Sequence, residues 1–233
     1  MKNITYLKVF GCTLFLLLAM AFTKPTADKR VVFLGDSITQ AGAQPGGYIS
    51  LMRESLNAAG YSQAIELIGA GISGNKVPDL QKRLDADVLA KNPDLVFIYI
   101  GINDVWHWSH PCCKDKQGGT TKENYEAGLR DLVKRVKAKG ARIVMCTPTV
   151  IGEKPDGTNA PDKMLDEYAD ITRKVARENN LPVCDLRKAF ISYLKIKNKE
   201  NASKGVLTTD EVHLNAAGNA FLALQMMPYL ASL

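Results

Sequence analysis

Near its amino terminus the chain reads Val31-Val32-Phe33-Leu34-Gly35-Asp36-Ser37-Ile38-Thr39, an apolar run that ends in a glycine and then polar residues. Consecutive apolar side chains closed by glycine are typical of a strand in a parallel sheet, where both faces of the strand are covered. Polar residues directly after such a strand lie at the sheet edge where open α/β folds bind ligands. The same arrangement recurs further along the chain.

Four more strands are predicted downstream, and helices alternate with them. The strands are expected at residues 65–68, 95–100, 143–146 and 182–184. Apolar residues at helical spacing predict helices over residues 48–59, 78–89, 123–139, 163–179 and 216–230. The alternation indicates βαβ units, and so an α/β fold with one parallel sheet and helices on both faces. The very apolar run 95–100 is expected at the centre of the sheet, and residues 105–120 as the one long irregular insertion.

The composition agrees with a single globular domain. Of 233 residues, 46% are hydrophobic and 23% are charged, close to the average for globular chains. A disordered tail, a collagen-like repeat and a long coiled coil are therefore excluded. The formal net charge of +6 is small, and no run of five or six like charges occurs, so no nucleic-acid partner is expected.

The first residues carry the pattern of a secretory signal. Lys2 and Lys8 precede an apolar run over residues 13–22, and Ala19-Met20-Ala21 offers a small-x-small cleavage site. The run is too short to span a bilayer comfortably; a buried N-terminal helix is the alternative. The prediction is a signal peptide over residues 1–21, a short linker over 22–30 and the folded domain over 31–233. The mature protein is expected to be periplasmic or secreted, with no stable membrane anchor.

Cleavage at that site would leave four cysteines, which allow three disulfide pairings: Cys112, Cys113, Cys146 and Cys184. Cys146 and Cys184 lie on predicted strands and are most simply buried apolar side chains. A bridge between the adjacent Cys112 and Cys113 would be strained. No CxxC pair occurs, and neither a metal nor a cofactor is expected.

Polar groups follow the first three strands, and a fourth lies near the carboxyl terminus. They are Gly35-Asp36-Ser37-Ile38-Thr39, Gly71-Ile72-Ser73-Gly74-Asn75, Gly101-Ile102-Asn103-Asp104 and Asp210-Glu211-Val212-His213. Taken one at a time, each could be only a turn or a helix cap. The predicted topology aims all four at one edge of the sheet. Together they supply every part that serine acyl transfer requires.

Acyl transfer needs a nucleophile, a base, an orienting acid and donors for an oxyanion. Ser37 lies on the turn from strand to helix, where its hydroxyl can project into a cleft. His213 can take the serine proton on Nε2, and Asp210, three residues earlier, can orient the imidazole through Nδ1. The backbone N–H groups of Ser37 and Gly74 and the side-chain amide of Asn103 are expected to form the oxyanion hole.

These blocks, in this order, resemble those of the SGNH hydrolases, the GDSL-type lipases and esterases. The matching positions are Gly35-Asp36-Ser37-Ile38 for the first block, Gly74 for the second, Gly101-Ile102-Asn103-Asp104 for the third and Asp210 to His213 for the fifth. The resemblance runs from about Val31 to the carboxyl terminus. It implies a flavodoxin-like three-layer α/β/α sandwich with five parallel strands, and a serine esterase that forms an acyl-enzyme.

The residues predicted to bind substrate are Asp36, Asp104, Trp106 and Trp108. Both tryptophans follow Asn103, where they either form a wall of the active site or pack the loop onto the surface. Export and this short Trp-bearing loop favour a short-chain or carbohydrate O-acetyl esterase, whose partner is a small-molecule or carbohydrate ester.

Two alternatives stay open. A lysophospholipase or thioesterase acting on longer acyl chains would need an extended apolar groove, and no long apolar insertion supplies one. A catalytically silent sugar- or lipid-binding protein on the same scaffold is opposed by the complete set Ser37, Gly74, Asn103, Asp210 and His213. The oligomeric state is not indicated by the sequence.

Overall fold

The structure is a computed structural model that describes residues 28–61, 64–109 and 118–233. Five strands form one parallel sheet in the order β2-β1-β3-β4-β5. They are β1 Lys29–Gly35, β2 Ile65–Gly71, β3 Leu95–Tyr99, β4 Arg142–Cys146 and β5 Val183–Cys184. The α/β prediction is confirmed, and the apolar run predicted at the centre of the sheet is the central strand, β3. The predicted signal peptide and the Cys112-Cys113 pair lie outside the described residues.

Eight α-helices cover the described part of the sheet. They are α1 Ser37–Gly42, α2 Tyr48–Ala58, α3 Val77–Asp87, α4 Ile102–Trp106, α5 Lys122–Ala138, α6 Ala160–Glu178, α7 Leu186–Lys197 and α8 Ala216–Met226, with 3₁₀ turns at Leu89–Lys91 and Met227–Ser232. Helix α2 packs against α8, whereas α5 packs against α3 and α6. Right-handed crossovers place these two groups on opposite faces of the sheet, which gives the three layers.

The core lies in and around the central strands. All five residues of β3 are buried, and so are the last five of β1. Phe33 and Phe97 are register neighbours, and their rings stack with centroids 4.8 Å apart. Cys146 and Cys184 are register neighbours too, and both are buried free thiols. This agrees with the prediction that they are buried apolar side chains. Because successive strand residues point to opposite faces, helices are needed on both sides to bury these side chains.

Three helices were not predicted. Helices α1 and α4 have six and five residues, too few to show a helical period. Helix α7 did carry a signal, because its buried residues Leu186, Phe190 and Leu194 recur every fourth position. The strand β1 begins at Lys29, inside the stretch predicted as linker, because the backbone N–H of Lys29 donates to the carbonyl of Ala64 at 2.9 Å.

The prediction of one long irregular insertion at residues 105–120 was wrong in two ways. Its start is helical, since α4 extends to Trp106. Residues 147–159 and 198–215 are also long connections without a helix or a paired strand, apart from a single bridge between Thr208 and Leu214. These connections are held by side chains bonded to backbone groups, which no local sequence pattern reveals.

The register of the sheet brings three strand ends to one level. Gly35, at the end of β1, is paired with Gly71 of β2 on one side and with Tyr99 of β3 on the other. The strands β1, β2 and β3 therefore end at the same edge of the sheet. Ser37 lies two residues after the end of β1, and Asn103 lies shortly after the end of β3. No helix in the described part of the chain has the length and hydrophobicity that a membrane span requires.

Candidate active site

Ser37 lies on the turn between β1 and α1. It is the first residue of α1, and Asp36 caps this helix by accepting the N–H of Ile38 on its carboxylate at 3.0 Å. The turn sits where the chain departs from β1 to one side for β2 and later returns to the other side for β3. Open parallel sheets bind their ligands at such a switch point. The serine hydroxyl thus occupies the position where this fold accepts a substrate.

Asp210, His213 and Ser37 form a continuous chain of hydrogen bonds. Nδ1 of His213 lies 2.7 Å from Oδ2 of Asp210, and Nε2 lies 2.9 Å from Oγ of Ser37. A carboxylate can only accept, so Nδ1 carries the ring proton and the lone pair of Nε2 faces the serine hydroxyl. This arrangement can remove the hydroxyl proton from Ser37.

In this relay of hydrogen bonds from Asp210 through His213 to Ser37, the carboxyl group of Asp210 is held in its ionised form. Partial burial by itself would raise the pKa of Asp210, but the hydrogen bonds from the ring and the backbone N–H of His213 outweigh it. The pKa of Asp210 is therefore below its ordinary value. The carboxylate is negatively charged near neutral pH and stabilises a positive charge on the imidazole.

The loop that carries Asp210 and His213 is anchored from a distant part of the chain. Glu211 has a φ of +83°, which is costly for a residue with a side chain, and its carbonyl accepts the N–H of Gly152 at 2.7 Å. The buried carboxylate of Glu153 accepts the successive N–H groups of Val206, Leu207 and Thr208 at 2.5 to 2.7 Å. Glu153 was not predicted from the sequence, because its partners are more than 50 residues away.

The proposed oxyanion donors converge on the same edge. Gly74 has a φ of +77°, a conformation that favours glycine, and follows Ser73, whose N–H donates to Oε1 of Gln40 on α1 at 2.8 Å. The amide of Asn103, on α4, is buried and donates through Nδ2 to the carbonyl of Asn75 at 3.0 Å. A primary amide has two N–H groups, so one remains to bind a ligand oxygen.

The structure separates the two tryptophans. The indole of Trp106 meets the imidazole of His213 edge to face, with ring centroids 6.4 Å apart. Trp108 is half-exposed and lines a different cavity of about 260 Å³ together with Met164 and Tyr168. Trp106 is therefore the aromatic residue at the candidate site.

Asp36 and Asp104, both predicted to bind substrate, are buried in the structure. Asp104 accepts the N–H of Val77 at 3.1 Å, so each carboxylate receives a backbone N–H at the start of a helix. Loss of solvation raises the pKa of Asp36 to about 7 and that of Asp104 to about 6. Burial favours a role in shaping the turns over direct contact with substrate. Among the described residues, no group of three or more His, Cys, Asp or Glu could hold a metal ion.

A Ser-His-Asp relay at the carboxyl edge of a five-stranded parallel sheet defines a hydrolase of the SGNH type. Residues 33–221 match the family described as GDSL-like Lipase/Acylhydrolase, and the chain belongs to this family. The resemblance found in the sequence is thereby confirmed. The chain is an ester-hydrolysing serine hydrolase.

Two similar proteins and one similar solved structure carry the name of an esterase. An acetylxylan esterase of Geobacillus stearothermophilus is 35% identical over 84% of this chain and 91% of that protein. An isoamyl acetate-hydrolyzing esterase 1 homolog of Mus musculus is 27% identical over 86% of this chain and 81% of its own length. The solved structure of an acetyl xylan esterase superposes with a TM-score of 0.83 at 44% identity, covering 86% of this chain and 99% of that one.

The substitution Asp36→Asn should change how stability depends on pH. The pKa of Asp36 is about 7 in the folded protein, against ~3.9 for an unfolded Asp, so the folded state holds a proton that the unfolded state releases. In the wild type this contribution makes the free energy of unfolding fall as the pH rises from about 4 to about 7. In the variant the contribution is absent, while the amide oxygen can still accept the N–H of Ile38.

The measurement is urea unfolding of both proteins at several pH values. The control is Asp85→Asn, at a side chain 77% exposed, which should keep the wild-type slope. An identical slope for Asp36→Asn and the wild type would contradict the prediction.

Proposed function

We propose that the chain hydrolyses acetyl esters of carbohydrates through an acyl-enzyme on Ser37. The observation that carries the proposal is the relay from Asp210 through His213 to Ser37, with contacts of 2.7 and 2.9 Å. The names of the relatives support the acetyl group and the carbohydrate.

The first half of the reaction forms the acyl-enzyme. Oγ of Ser37 attacks the ester carbonyl carbon while Nε2 of His213 takes the hydroxyl proton, and Asp210 stabilises the imidazolium. The carbonyl oxygen becomes an oxyanion, which accepts the N–H groups of Ser37 and Gly74 and the free N–H of the Asn103 amide. When the tetrahedral intermediate collapses, His213 returns its proton to the leaving alcohol oxygen.

The second half releases the acid. A water molecule enters the place of the alcohol and gives a proton to Nε2 of His213 as its oxygen attacks the acyl carbon. The same donors stabilise the second oxyanion. The intermediate expels Oγ of Ser37, which regains a proton from His213, and the carboxylic acid leaves. No other reactant is consumed.

The acyl group is proposed to be acetyl because two kinds of relative agree on it. One is named for acetylxylan and the other for isoamyl acetate, so their names share the acetate and differ in the alcohol. We infer that Trp106 lies beside the alcohol part of the ester, because it contacts His213, the residue that protonates the leaving alcohol. An indole packs well on the apolar face of a sugar ring. This contact favours a carbohydrate alcohol over isoamyl alcohol, which is the second candidate.

Replacing Asn103 by alanine should lower kcat by about 10²- to 10³-fold, because one oxyanion donor is lost. KM should change little, since the amide is needed most where negative charge develops. The measurement is steady-state kinetics with p-nitrophenyl acetate, with Asn57→Ala on α2 as an exposed control. A change confined to KM would contradict the oxyanion role.

The same series should include Ser37→Ala. A fluorophosphonate probe should label the wild type at Ser37 and leave the folded Ser37→Ala protein unlabelled. Failure to label active wild-type protein would rule out the serine mechanism.

Esters of increasing acyl length should show a preference for acetate. The measurement compares kcat/KM for p-nitrophenyl esters of two to sixteen carbons, beside acetylated xylan and isoamyl acetate. We expect the acetyl ester to be the best of the series, and Trp106→Ala to impair acetylated xylan more than p-nitrophenyl acetate. A preference for long chains would overturn the acetyl assignment, and a preference for isoamyl acetate would support the second candidate.

Export belongs to the same proposal, with residues 1–21 as the removed signal. When the full chain is expressed in a Gram-negative bacterium, the protein should appear in the periplasm or medium with the mass of a polypeptide that begins at Phe22. Active protein that stays in the cytoplasm with residues 1–21 attached would contradict it.

A further inference from the structure

Arg83 on α3 has a nearly buried side chain, and three of its hydrogen-bond acceptors lie close to the candidate site. Its side chain is 12% exposed. Nη2 donates to the carbonyl of Gly35 at 2.7 Å, Nη1 to the carbonyl of Ala70 at 3.0 Å and Nε to Oδ1 of Asn75 at 2.7 Å. Asp87, one turn further along the helix, accepts from Nη1 at 2.9 Å and balances the charge.

We propose that Arg83 is a positioning residue that holds the oxyanion donors in place. The inference rests on the roles proposed above for Gly74 and Asn103. The observation behind the inference is the position of the three acceptors, Gly35, Ala70 and Asn75. Each of them lies within a few residues of a proposed oxyanion donor or of Ser37.

Two of the acceptors are carbonyls at the ends of neighbouring strands. Gly35 closes β1 and stands two residues before Ser37, while Ala70 is the penultimate residue of β2. The carbonyl of Gly35 also accepts the N–H of Ile72 at 3.3 Å. One guanidinium thus joins the end of β1, which leads into the turn that carries Ser37, to the end of β2, which leads into the segment that carries Gly74.

The third acceptor connects Arg83 to Asn103. Asn75 directly follows Gly74, and its side chain is held by Nε of Arg83 while its own carbonyl accepts Nδ2–H of Asn103. The orientation of the Asn103 amide therefore depends on where Asn75 sits, and Asn75 is held by Arg83. This path runs entirely through hydrogen bonds of 2.7 to 3.0 Å.

The arrangement requires arginine and not merely a positive charge. Three acceptors in three directions match the fixed, planar set of N–H groups on a guanidinium, whereas an ammonium is a point charge on a flexible stem. Oxyanion donors contribute to rate because they are already in place when charge develops. A donor displaced by a fraction of an ångström would lower the rate without altering how substrate binds in the ground state.

The test compares Arg83→Lys with a matched control, Arg53→Lys. Arg53 lies on α2 and donates through Nη2 to the carbonyl of Leu67, which is also on β2 but away from its carboxyl end. Both variants remove a guanidinium bound to a carbonyl of the same strand. For Arg83→Lys we expect kcat for p-nitrophenyl acetate to fall by about 10- to 100-fold with little change in KM. For Arg53→Lys we expect kcat to stay near wild type.

A double-mutant cycle with Asn103→Ala distinguishes positioning from general loss of structure. If Arg83 acts in part through the Asn103 amide, Arg83→Lys should cost clearly less in the Asn103→Ala background than in the wild type. Asn75→Ser, which leaves Arg83 and both strand carbonyls in place, should also lower kcat more than it changes KM. This second variant provides the readout if Arg83→Lys does not fold.

The outcomes separate this inference from the proposed function. If Asn103→Ala lowers kcat but Arg83→Lys and Asn75→Ser both behave like Arg53→Lys, the positioning role is overturned and the oxyanion role stands. Fully multiplicative losses in the cycle would also overturn the path through Asn103. If Asn103→Ala leaves kcat unchanged, the oxyanion role itself fails, and this inference fails with it.

Discussion

The register that places Gly35 between Gly71 and Tyr99 is the constraint on which the site depends. It makes β1, β2 and β3 end at one level, so that short segments after each strand meet without a long loop. A side chain at Gly35 would disturb it, because a Cβ there would lie 2.7 Å from the carbonyl oxygen of Tyr99. The register also places Phe33 beside Phe97, and their rings stack with centroids 4.8 Å apart.

Two charged side chains, the nearly buried Arg83 and the buried Glu153, extend this order beyond the sheet. Arg83 joins the segments that follow β1 and β2, on the side of the proposed oxyanion donors. Glu153 joins residues 206–208 to the connection after β4, on the side of the acid and the base. Arg83 binds two backbone carbonyls at the strand ends, and Glu153 binds three backbone N–H groups outside the helices and strands. The site is thus assembled from irregular segments, yet its geometry is set by specific hydrogen bonds.

The sequence predicted the sheet and the relay because both correspond to recognisable local sequence patterns. An apolar run before Gly35-Asp36-Ser37 and the spacing of Asp210 and His213 can be read without knowing any distant contact. The short helices α1 and α4 leave no such pattern, whereas α7 leaves one in the spacing of Leu186, Phe190 and Leu194. Asp36 and Asp104, which are predicted to bind substrate, adjoin Ser37 and Asn103 in sequence. Their burial favours capping and turn formation instead, and burial depends on how α1, α3 and α4 pack.

By itself, the sequence determined the α/β class, the order of the five strands along the chain and the identity of the residues in the relay. The first two follow from the periodicity of apolar residues, and the third from the chemistry of the four polar blocks and their resemblance to those of the SGNH hydrolases. Only the tertiary structure decided which tryptophan meets His213, that Asp36 and Asp104 are buried, and that Arg83 and Glu153 hold the segments around the site. These facts depend on contacts between residues tens of positions apart. In the sequence, Arg83 and Glu153 look like ordinary surface charges, and only the folded chain brings their backbone partners within hydrogen-bonding distance.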